Sequence, residues 1–355
     1  MIIQRRITLT KIITIIFTKD FIRLEYLQQT FMENSTKQPA NSILIIIGNG
    51  FDLDMGLKTS YSDFIKSPYF SQNTELHKYL KHRLEINNWI DLENELKNYL
   101  KCINADINKE NHSMLKARKG LIANQFECLR NDLTSYLEHL PTDSIKIQCY
   151  AYQLMCIISK IKRFSTSDII EIINFNYTDI SPLSYRFINM LHVHGSLKNN
   201  NIILGFEDDV EIDDSFCFMI KSHSPHFRSF NIREKLEKAN EIIFFGHSLG
   251  MTDYHYFSNF FKTQSGLDDK GISYRKKKIR IFTYDEDARQ NILIQLRNMN
   301  EKRVNELYDL NDLEIYRTKD CIDDIKIQSY FNHLKKIATD AKENQNIFIN
   351  NTEIE

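Results

Sequence analysis

The chain has 355 residues and carries 46 lysines and arginines against 47 aspartates and glutamates, so its formal net charge is −1. Its 42% hydrophobic and 26% charged residues exclude a disordered chain, a collagen and a coiled-coil rod. The near-zero net charge argues against a broad nucleic-acid surface. The six cysteines form no CxxC pair, which favours free thiols in a reducing compartment and predicts a cytoplasmic protein.

The first 31 residues contain an apolar run that is interrupted by Lys11 and followed by charged residues. This run is too short for a transmembrane helix, which needs about 20 apolar residues, and no small-residue cleavage site of a signal peptide follows it. We interpret residues 1–31 as an extension, with Met32 as an alternative native start, and we expect no membrane association.

Short β-branched apolar runs, typical of buried strands, alternate along the chain with stretches of helical periodicity. Strands are predicted at residues 42–47, 169–175, 190–194, 201–204, 241–245 and 278–283, with helices at 229–239, 252–263 and 285–299. Continuous apolar strands that alternate with helices predict a parallel sheet covered on both faces. The fold class is therefore α/β, with a Rossmann-like, doubly wound sheet.

The segment from residue 71 to 164 has helical patterns and no comparable strand. We interpret it as a large helical insertion into a nucleotide-binding core formed by residues 32–70 and 165–300. Residues 301–355 are predicted to be C-terminal helices with a polar tail. The insertion is the candidate surface for homo-oligomer formation, although its amphipathic pattern equally describes an ordinary solvated helical layer.

A glycine turn, Gly48-Asn49-Gly50, follows the first predicted strand. In doubly wound folds this turn binds a nucleotide phosphate, because glycines let the backbone approach and amides at the helix start face the anion. The spacing departs from GxGxxG, and a tight turn without a ligand stays open as an alternative. Asp52 follows at the mouth of the turn, as a ribose ligand or a helix cap.

Polar residues follow two further predicted strands. Asn176 ends one of them, and His192 and His194 end another, with Gly195 directly after. Ligands of open α/β sheets bind beyond the carboxyl ends of the strands, so these residues are candidates for one site. At least one of the two histidines is a candidate catalytic residue. Two histidines at this spacing also suit a metal or a structural pair, but no third ligand stands out and we predict no metal.

A second glycine turn, from Gly246 to Gly250, reads GHSLG and matches the G-x-S-x-G nucleophile elbow of α/β-hydrolases between a strand and a helix. Only two histidines follow it in the chain, and one of them is too close to act as the base. A serine hydrolase that uses Ser248 is therefore the weaker alternative. In the other interpretation the turn is a second ligand contact, with Ser248 and Asp253 near the ligand.

Taken together, these segments resemble the AbiH family of bacterial abortive-infection proteins, which act in defence against phage. The resemblance rests on an ordered set between residue 43 and about residue 257, namely GNGFDLDMGLKTSYSDF, WIDLE, FNYT, HVHGS and GHSLGMTDYHYF. The family is distantly similar to sirtuin-like NAD-binding domains. In those domains a glycine turn holds NAD, an Asn at a strand end contacts the nicotinamide ribose, and a His before Gly acts as base.

The resemblance implies a phage-defence protein that binds NAD and hydrolyses its nicotinamide–ribose bond, in response to an unknown phage trigger. The implied catalytic residues are His194 and Asn176, and Asp52 joins them as a candidate for ribose contact or cation stabilisation. The candidate contacts to NAD are Gly48, Asn49, Gly50, Phe51, Asp52, Thr59, His192, Gly195, Gly246, Ser248 and Asp253.

The sequence also departs from the sirtuins. It lacks their four-cysteine zinc site and the GIPDFR segment after the first turn, so deacylation of protein lysines is not the natural implication. Cleavage of NAD by hydrolysis fits better. The alternative from a different class is a module that senses a nucleotide or an ADP-ribose-type signal without turning it over.

Overall fold

The computed structural model describes residues 42–87, 90–107, 112–141, 145–165, 169–179, 190–208, 210–267 and 275–352. The predictions made for the first 31 residues lie outside this part of the chain. Within it, no helix combines the length and the apolar character that a membrane crossing requires.

A parallel sheet forms the centre of the fold. Its strands are β1 (Ser42–Ile47), β2 (Ile169–Asn174), β3 (Met190–His192), β4 (Glu241–Phe245), β5 (Lys278–Thr283) and β6 (Asp312–Arg317). In the described chain these six strands have the order β3-β2-β1-β4-β5-β6, and all their pairings are parallel. This is the strand order of the doubly wound dinucleotide-binding fold, and it confirms the predicted α/β class. The order reverses between β1 and β4, where such folds open a crevice at the carboxyl ends of the strands.

Helices cover the sheet and form a layer beside it. They are α1 (Asn49–Asp54), α2 (Tyr61–Lys66), α3 (Glu75–Asn87), α4 (Leu92–Ile107), α5 (His112–Glu138), α6 (Tyr150–Phe164), α7 (Ile232–Lys238), α8 (Tyr254–Gln264), α9 (Glu286–Met299), α10 (Val304–Leu310) and α11 (Asp324–Thr352). Side-chain caps fix some of their starts. The Asp285 carboxylate, for example, accepts a hydrogen bond from the N–H of Ala288 at the first turn of α9.

The central strand β1 is buried on both faces, because successive side chains of a strand point to opposite sides of the sheet. Ile43, Ile45 and Ile47 pack in one apolar cluster with α6 and α11. Leu44 and Ile46 pack in a second cluster with α7, α8 and α9. A strand with two buried faces needs a continuous apolar run, which is the pattern that identified it in the sequence.

Helices α3, α4 and α5 build a third apolar cluster of their own. This cluster also takes in Leu204, Phe206 and Met219 from the segments that follow β3, so the helical layer packs near the carboxyl end of the sheet on the β3 side. Helix α6 lies within residues 71–164 as well, but it packs on the face of the sheet against β1 and α11.

Two segments differ from the sequence-based expectation. Residues 201–204 form no strand, although the N–H of Ile203 donates to the carbonyl oxygen of His194 at 2.8 Å. Residues 301–355, predicted to be helices and a tail, contain the strand β6 between α10 and α11. β6 lies at an edge of the described sheet and is only partly buried, so its sequence DLEIYR lacks the continuous apolar run of the central strands.

Candidate functional site

The glycine turns after β1 and β4 touch each other through their backbones. The N–H of Gly48 donates to the carbonyl oxygen of Phe245 at 3.0 Å, and the N–H of Gly50 donates to that of Gly246 at 2.9 Å. Gly246 has a φ of +64°, and a Cβ added to it would lie 2.3 Å from the backbone carbon of Gly50. Only glycine fits such an approach. The amides of Gly48 and Gly50, which are predicted to bind a phosphate, therefore already donate within the fold.

The other residues of the first turn have different surroundings. The Asn49 side chain is exposed, and its Oδ1 accepts from the Thr59 hydroxyl at 2.6 Å, so these two predicted contacts lie side by side at the surface. Phe51 is fully buried, with its ring centroid 5.2 Å from that of Phe245. It therefore belongs to the core and does not offer a surface to a ligand.

Asp52 lies behind the first turn and is only 1% exposed. Its Oδ2 accepts a short hydrogen bond from the Thr178 hydroxyl, while its Oδ1 accepts none from the described chain. Burial raises the pKa of Asp52 to about 7, although the neighbouring Thr178 hydroxyl and Asn176 amide act in the opposite direction. A carboxyl group with these properties suits a proton acceptor or a ligand for a hydroxyl group.

Asn176, which follows β2, joins this strand end to the first glycine turn. Its Nδ2 donates to the carbonyl oxygen of Gly48 at 3.0 Å, and its own N–H donates to Oδ1 of Asn174 at 2.8 Å. Its carbonyl oxygen lies 3.1 Å from Nδ1 of His192, so that ring nitrogen is the donor. Burial lowers the pKa of His192. Asn176 and His192 therefore hold the strand ends together.

His194 lies in a buried cluster of charged side chains, whereas its sequence neighbour His192 does not. We call Lys221, Glu93, His194, Glu207 and Asp253 the Lys221 cluster. The Lys221 Nζ lies 2.9 Å from Glu93 Oε2, 3.2 Å from Glu207 Oε1, 3.3 Å from His194 Nε2 and 3.9 Å from Asp253 Oδ1. Three carboxylates and an imidazole thus surround one ammonium group that is 1% exposed.

Asp253 ends a 3₁₀ turn directly before α8 and lies between two histidines. Its Oδ1 is 3.3 Å from Nε2 of His194, and its Oδ2 is 3.4 Å from Nε2 of His247. Nδ1 of His247 accepts from the N–H of Leu249, so the neutral ring carries its proton on the nitrogen that faces Asp253. Burial raises the pKa of Asp253, but the Lys221 ammonium and the two histidines outweigh it and hold that pKa well below its usual range.

The charges of the Lys221 cluster depend on one another. Burial by itself would lower the pKa of Lys221, but the carboxylates of Glu93, Asp253 and Glu207 outweigh burial and raise it, so the side chain stays an ammonium. Burial raises the pKa of Glu93 and of Glu207, against the attraction of Lys221. The cluster therefore combines an ammonium group, which donates hydrogen bonds, with buried carboxylates, which accept them.

The same residues have the composition of a metal site. One ligand atom each from His194, Glu207 and Asp253 lie within 4.8 Å of one another. Nitrogen and carboxylate oxygen are ligands that several divalent metals accept. The Lys221 ammonium already lies 3.2 Å from Glu207 and 3.3 Å from His194, so a side chain of the protein itself supplies the cation.

His255 lies at the outer side of the cluster. Its side chain is 41% exposed, and its Nδ1 is 3.6 Å from Oε2 of Glu207. Its ring contacts that of Tyr256, with the centroids 3.8 Å apart. His255 thus connects the buried cluster with the protein surface at the start of α8.

Ser248 lacks the surroundings of a catalytic serine. Its side chain is exposed, and its Oγ accepts from the N–H of Gly250 at 3.3 Å but makes no hydrogen bond to a histidine of the described chain. A nucleophile elbow holds its serine on a strained turn. Here the residues with positive φ are Gly246 and Leu249. The geometry therefore does not favour the hydrolase.

Sequence reasoning missed Lys221 and Glu207 as site residues. Both lie in an irregular region where residues 206 and 220 form an isolated parallel bridge. Gly205, with a φ of +145°, makes this possible, because a Cβ added there would lie 2.1 Å from the carbonyl oxygen of Met219. A backbone bridge of this kind leaves no periodic pattern in the sequence. Glu93 and His247 lie in the quoted segments WIDLE and GHSLG, but neither was a candidate site residue.

Comparison with known proteins gives one family. A family model described as "Bacteriophage abortive infection AbiH" matches residues 44–269. The match spans more than half of the 355 residues. It also includes every residue of the Lys221 cluster and both glycine turns. Neither the curated proteins nor the solved structures contain a match to the chain. The chain therefore belongs to the AbiH family of bacteriophage abortive-infection proteins.

Proposed function

We propose that this abortive-infection protein binds NAD at the carboxyl edge of the sheet and hydrolyses its nicotinamide–ribose bond. One observation carries the proposal. Asp52 lies beside Asn176 and His194 lies beside Asp253, and these four residues follow β1, β2, β3 and β4 at the carboxyl edge of the sheet, where the strand order reverses. Doubly wound folds bind their ligands at this point.

Buried carboxylate oxygens of the site suit the sugar end of NAD. Oδ1 of Asp52 accepts no hydrogen bond from the described chain, while Oε1 of Glu207 and Oδ1 of Asp253 have ion-pair contacts only. Ribose hydroxyl groups are donors for such oxygens. When the nicotinamide leaves, positive charge develops on the ribose, and carboxylates in a site that excludes water stabilise it. His194 would accept the proton of the attacking water or of a ribose hydroxyl.

The phosphate end of NAD needs other partners. The amides of Gly48 and Gly50 donate to Phe245 and Gly246, and the deep part of the site is rich in carboxylates. We therefore assign the pyrophosphate to the surface side of the first turn, beside Asn49 and Thr59. This orientation keeps the anionic groups in solvent and the sugar near the Lys221 cluster.

The test is incubation of the purified protein with NAD, followed by mass spectrometry of the products. We expect nicotinamide and ADP-ribose from the wild type and a loss of at least about 10²-fold in His194→Ala. His82→Ala is the matched control, because the His82 side chain is 70% exposed on α3. If the wild type leaves NAD intact in the presence of an extract of phage-infected cells, or if His194→Ala keeps full activity, the proposal is wrong.

Asn176→Ala tests the second catalytic assignment, with Asn291→Ala as its control on the exposed side of α9. The Asn176 amide also supports the turn through Gly48. Its loss is therefore expected to cost about 1–3 kcal/mol of stability. Activity must be compared at a temperature where both variants remain folded.

A sensor that binds a nucleotide without turnover is the second candidate. One contact favours it, because Nε2 of His194 lies 3.3 Å from an ammonium group that can only donate. A base whose lone pair is occupied does not accept a proton. Native mass spectrometry of the protein with NAD would support the sensor if the ligand is recovered unchanged after long incubation with extract of infected cells.

A further inference from the structure

We propose that Lys221 is a positioning residue that sets the tautomer of His194. Its Nζ donates to Nε2, so that the resting imidazole is neutral and carries its proton on Nδ1. The proposal concerns the ground state of the ring. Only its catalytic consequence rests on the proposed hydrolysis of NAD.

Two partners compete for the same ring nitrogen. Nε2 of His194 lies 3.3 Å from Nζ of Lys221 and 3.3 Å from Oδ1 of Asp253. An ammonium group only donates and a carboxylate only accepts, so one nitrogen of a neutral ring cannot bond both. The contact with Lys221 has hydrogen-bond geometry, whereas the contact with Oδ1 of Asp253 has only the distance of an ion pair. Nε2 is therefore the acceptor, and the proton belongs on Nδ1.

Lys221 is held in place from two sides. Its ammonium contacts Glu93 at 2.9 Å, at the start of α4, and Glu207 at 3.2 Å, next to the backbone bridge. Its own N–H donates to the carbonyl oxygen of Phe206 at 2.9 Å. With 1% of the residue exposed, water does not compete for the ammonium. The helical layer thus takes part in the site, because it supplies Glu93.

Oδ1 of Asp253 offers the Lys221 ammonium a second acceptor. Oδ1 of Asp253 is 3.9 Å from Nζ of Lys221, within reach of a small side-chain movement. When Nε2 takes a proton from water or from a ribose hydroxyl, the Lys221 hydrogen bond would pass to that oxygen. The proton moves from the substrate oxygen to Nε2, and Lys221 loses none. The lysine therefore holds the base neutral before the reaction and releases its lone pair during it.

Long-range proton–nitrogen NMR spectra of protein labelled with ¹⁵N-histidine distinguish the two tautomers. The His194 signals are assigned by their absence in His194→Gln. In the wild type without NAD we expect Nδ1 to be protonated and Nε2 to be unprotonated. In Lys221→Met, the ring is free to donate to Asp253, so we expect the proton on Nε2. Lys221→Arg keeps the donor and should keep the wild-type tautomer.

Lys277→Met is the matched control. Lys277 is also buried, but its ammonium donates to the backbone carbonyl oxygens of Glu237 and Ala239, away from the cluster. This variant should leave the His194 signals unchanged. If the loss of any buried lysine disturbed the protein in general, the signals would change in Lys277→Met as well.

A wild-type His194 that is protonated on Nε2, or on both nitrogens, overturns the proposal, as does a Lys221→Met spectrum equal to that of the wild type. If Lys221→Met does not fold, the wild-type spectrum still decides. Because the spectra are recorded without NAD, a protein that fails to cleave NAD can still show the predicted tautomer. The two proposals therefore fail separately. If both hold, Lys221→Met should cleave NAD more than tenfold slower than Lys277→Met.

Discussion

The paired glycine turns and the Lys221 cluster lie at the same edge of the sheet, but they are held together by opposite means. The turns, residues 48–50 and 246–250, meet through uncharged backbone groups at 2.9 and 3.0 Å, with no space for a side chain. The cluster brings three carboxylates and an imidazole from four segments of the chain to one buried ammonium.

Because the two regions are held together differently, they tolerate different substitutions. In the turns, a substitution is tolerated or rejected according to space and backbone conformation. In the cluster, it is tolerated or rejected according to whether the remaining charges are balanced. The first constraint is independent of pH and the second is not, so pH is the variable that distinguishes them.

The largest effect is expected in the turns. Gly246→Ala should cost about 4 kcal/mol or more, because alanine at positive φ is strained by about 1–2 kcal/mol and its Cβ overlaps the backbone of Gly50. Gly120→Ala is the control, since a Cβ added at that position of α5 meets no atom within 4 Å. This control should gain about 0.5–1 kcal/mol. Urea unfolding measures both, and equal stability of the two variants would refute the close contact between the turns.

The next effect concerns charge. Lys221→Met should lose about 3–5 kcal/mol at pH 8, because it leaves three buried carboxylates without their cation. In this variant the folded state binds more protons than the unfolded one, so its unfolding free energy should rise again as the pH is lowered to 5. Lys277→Met should lose about 2–3 kcal/mol, since two carbonyl oxygens lose their donor, with little dependence on pH between 5 and 7. If the unfolding free energies of the two variants depend on pH in the same way, the Lys221 ammonium does not balance the buried carboxylates.

Asp52, which follows the first turn, gives a smaller effect with a defined pH window. Its pKa is about 7 in the folded protein against 3.8 for the free group. The folded state therefore binds the extra proton between these values, and this group removes about 1 kcal/mol of stability per pH unit as the pH rises through the window. Asp52→Asn cannot titrate, so its stability relative to the wild type should increase from pH 4 to 7 and then level off. If the unfolding free energies of Asp52→Asn and the wild type differ by the same amount at every pH, Asp52 ionises normally and the prediction is wrong.

The smallest effect is expected at Ser248. Its side chain is exposed and bonds only within its own turn, so Ser248→Ala should change the unfolding free energy by less than about 0.5 kcal/mol. A fluorophosphonate probe should leave the wild-type protein unlabelled. Labelling that disappears in Ser248→Ala would revive the serine hydrolase.

The sequence predicted the turns better than the cluster, for a physical reason. The bounds of β1, β4 and β5 agree with those predicted, because each is a continuous apolar run in a sheet covered on both faces. Parallel strands end at one edge, so Asp52, Asn176 and His194 were expected near each other. β6 was missed because an edge strand does not need that apolar run.

The cluster could not be predicted in this way. A lysine in an irregular segment normally indicates an exposed side chain. Lys221 is buried because Glu93, 128 positions earlier in the chain, and Glu207, across the bridge after Gly205, compensate its charge. The glycine turns have a related limit. Their spacing indicates a close backbone approach, but not whether a ligand or another turn makes that approach.

Phage infection of cells that carry the wild type or His194→Ala, with NAD and nicotinamide measured over time, tests whether the protein cleaves NAD during infection. We expect NAD to fall and nicotinamide to rise after infection in wild-type cells, and both to stay constant in His194→Ala cells, which lose protection. Protection by the wild type with no change in NAD, or equal loss of NAD in both strains, would contradict it.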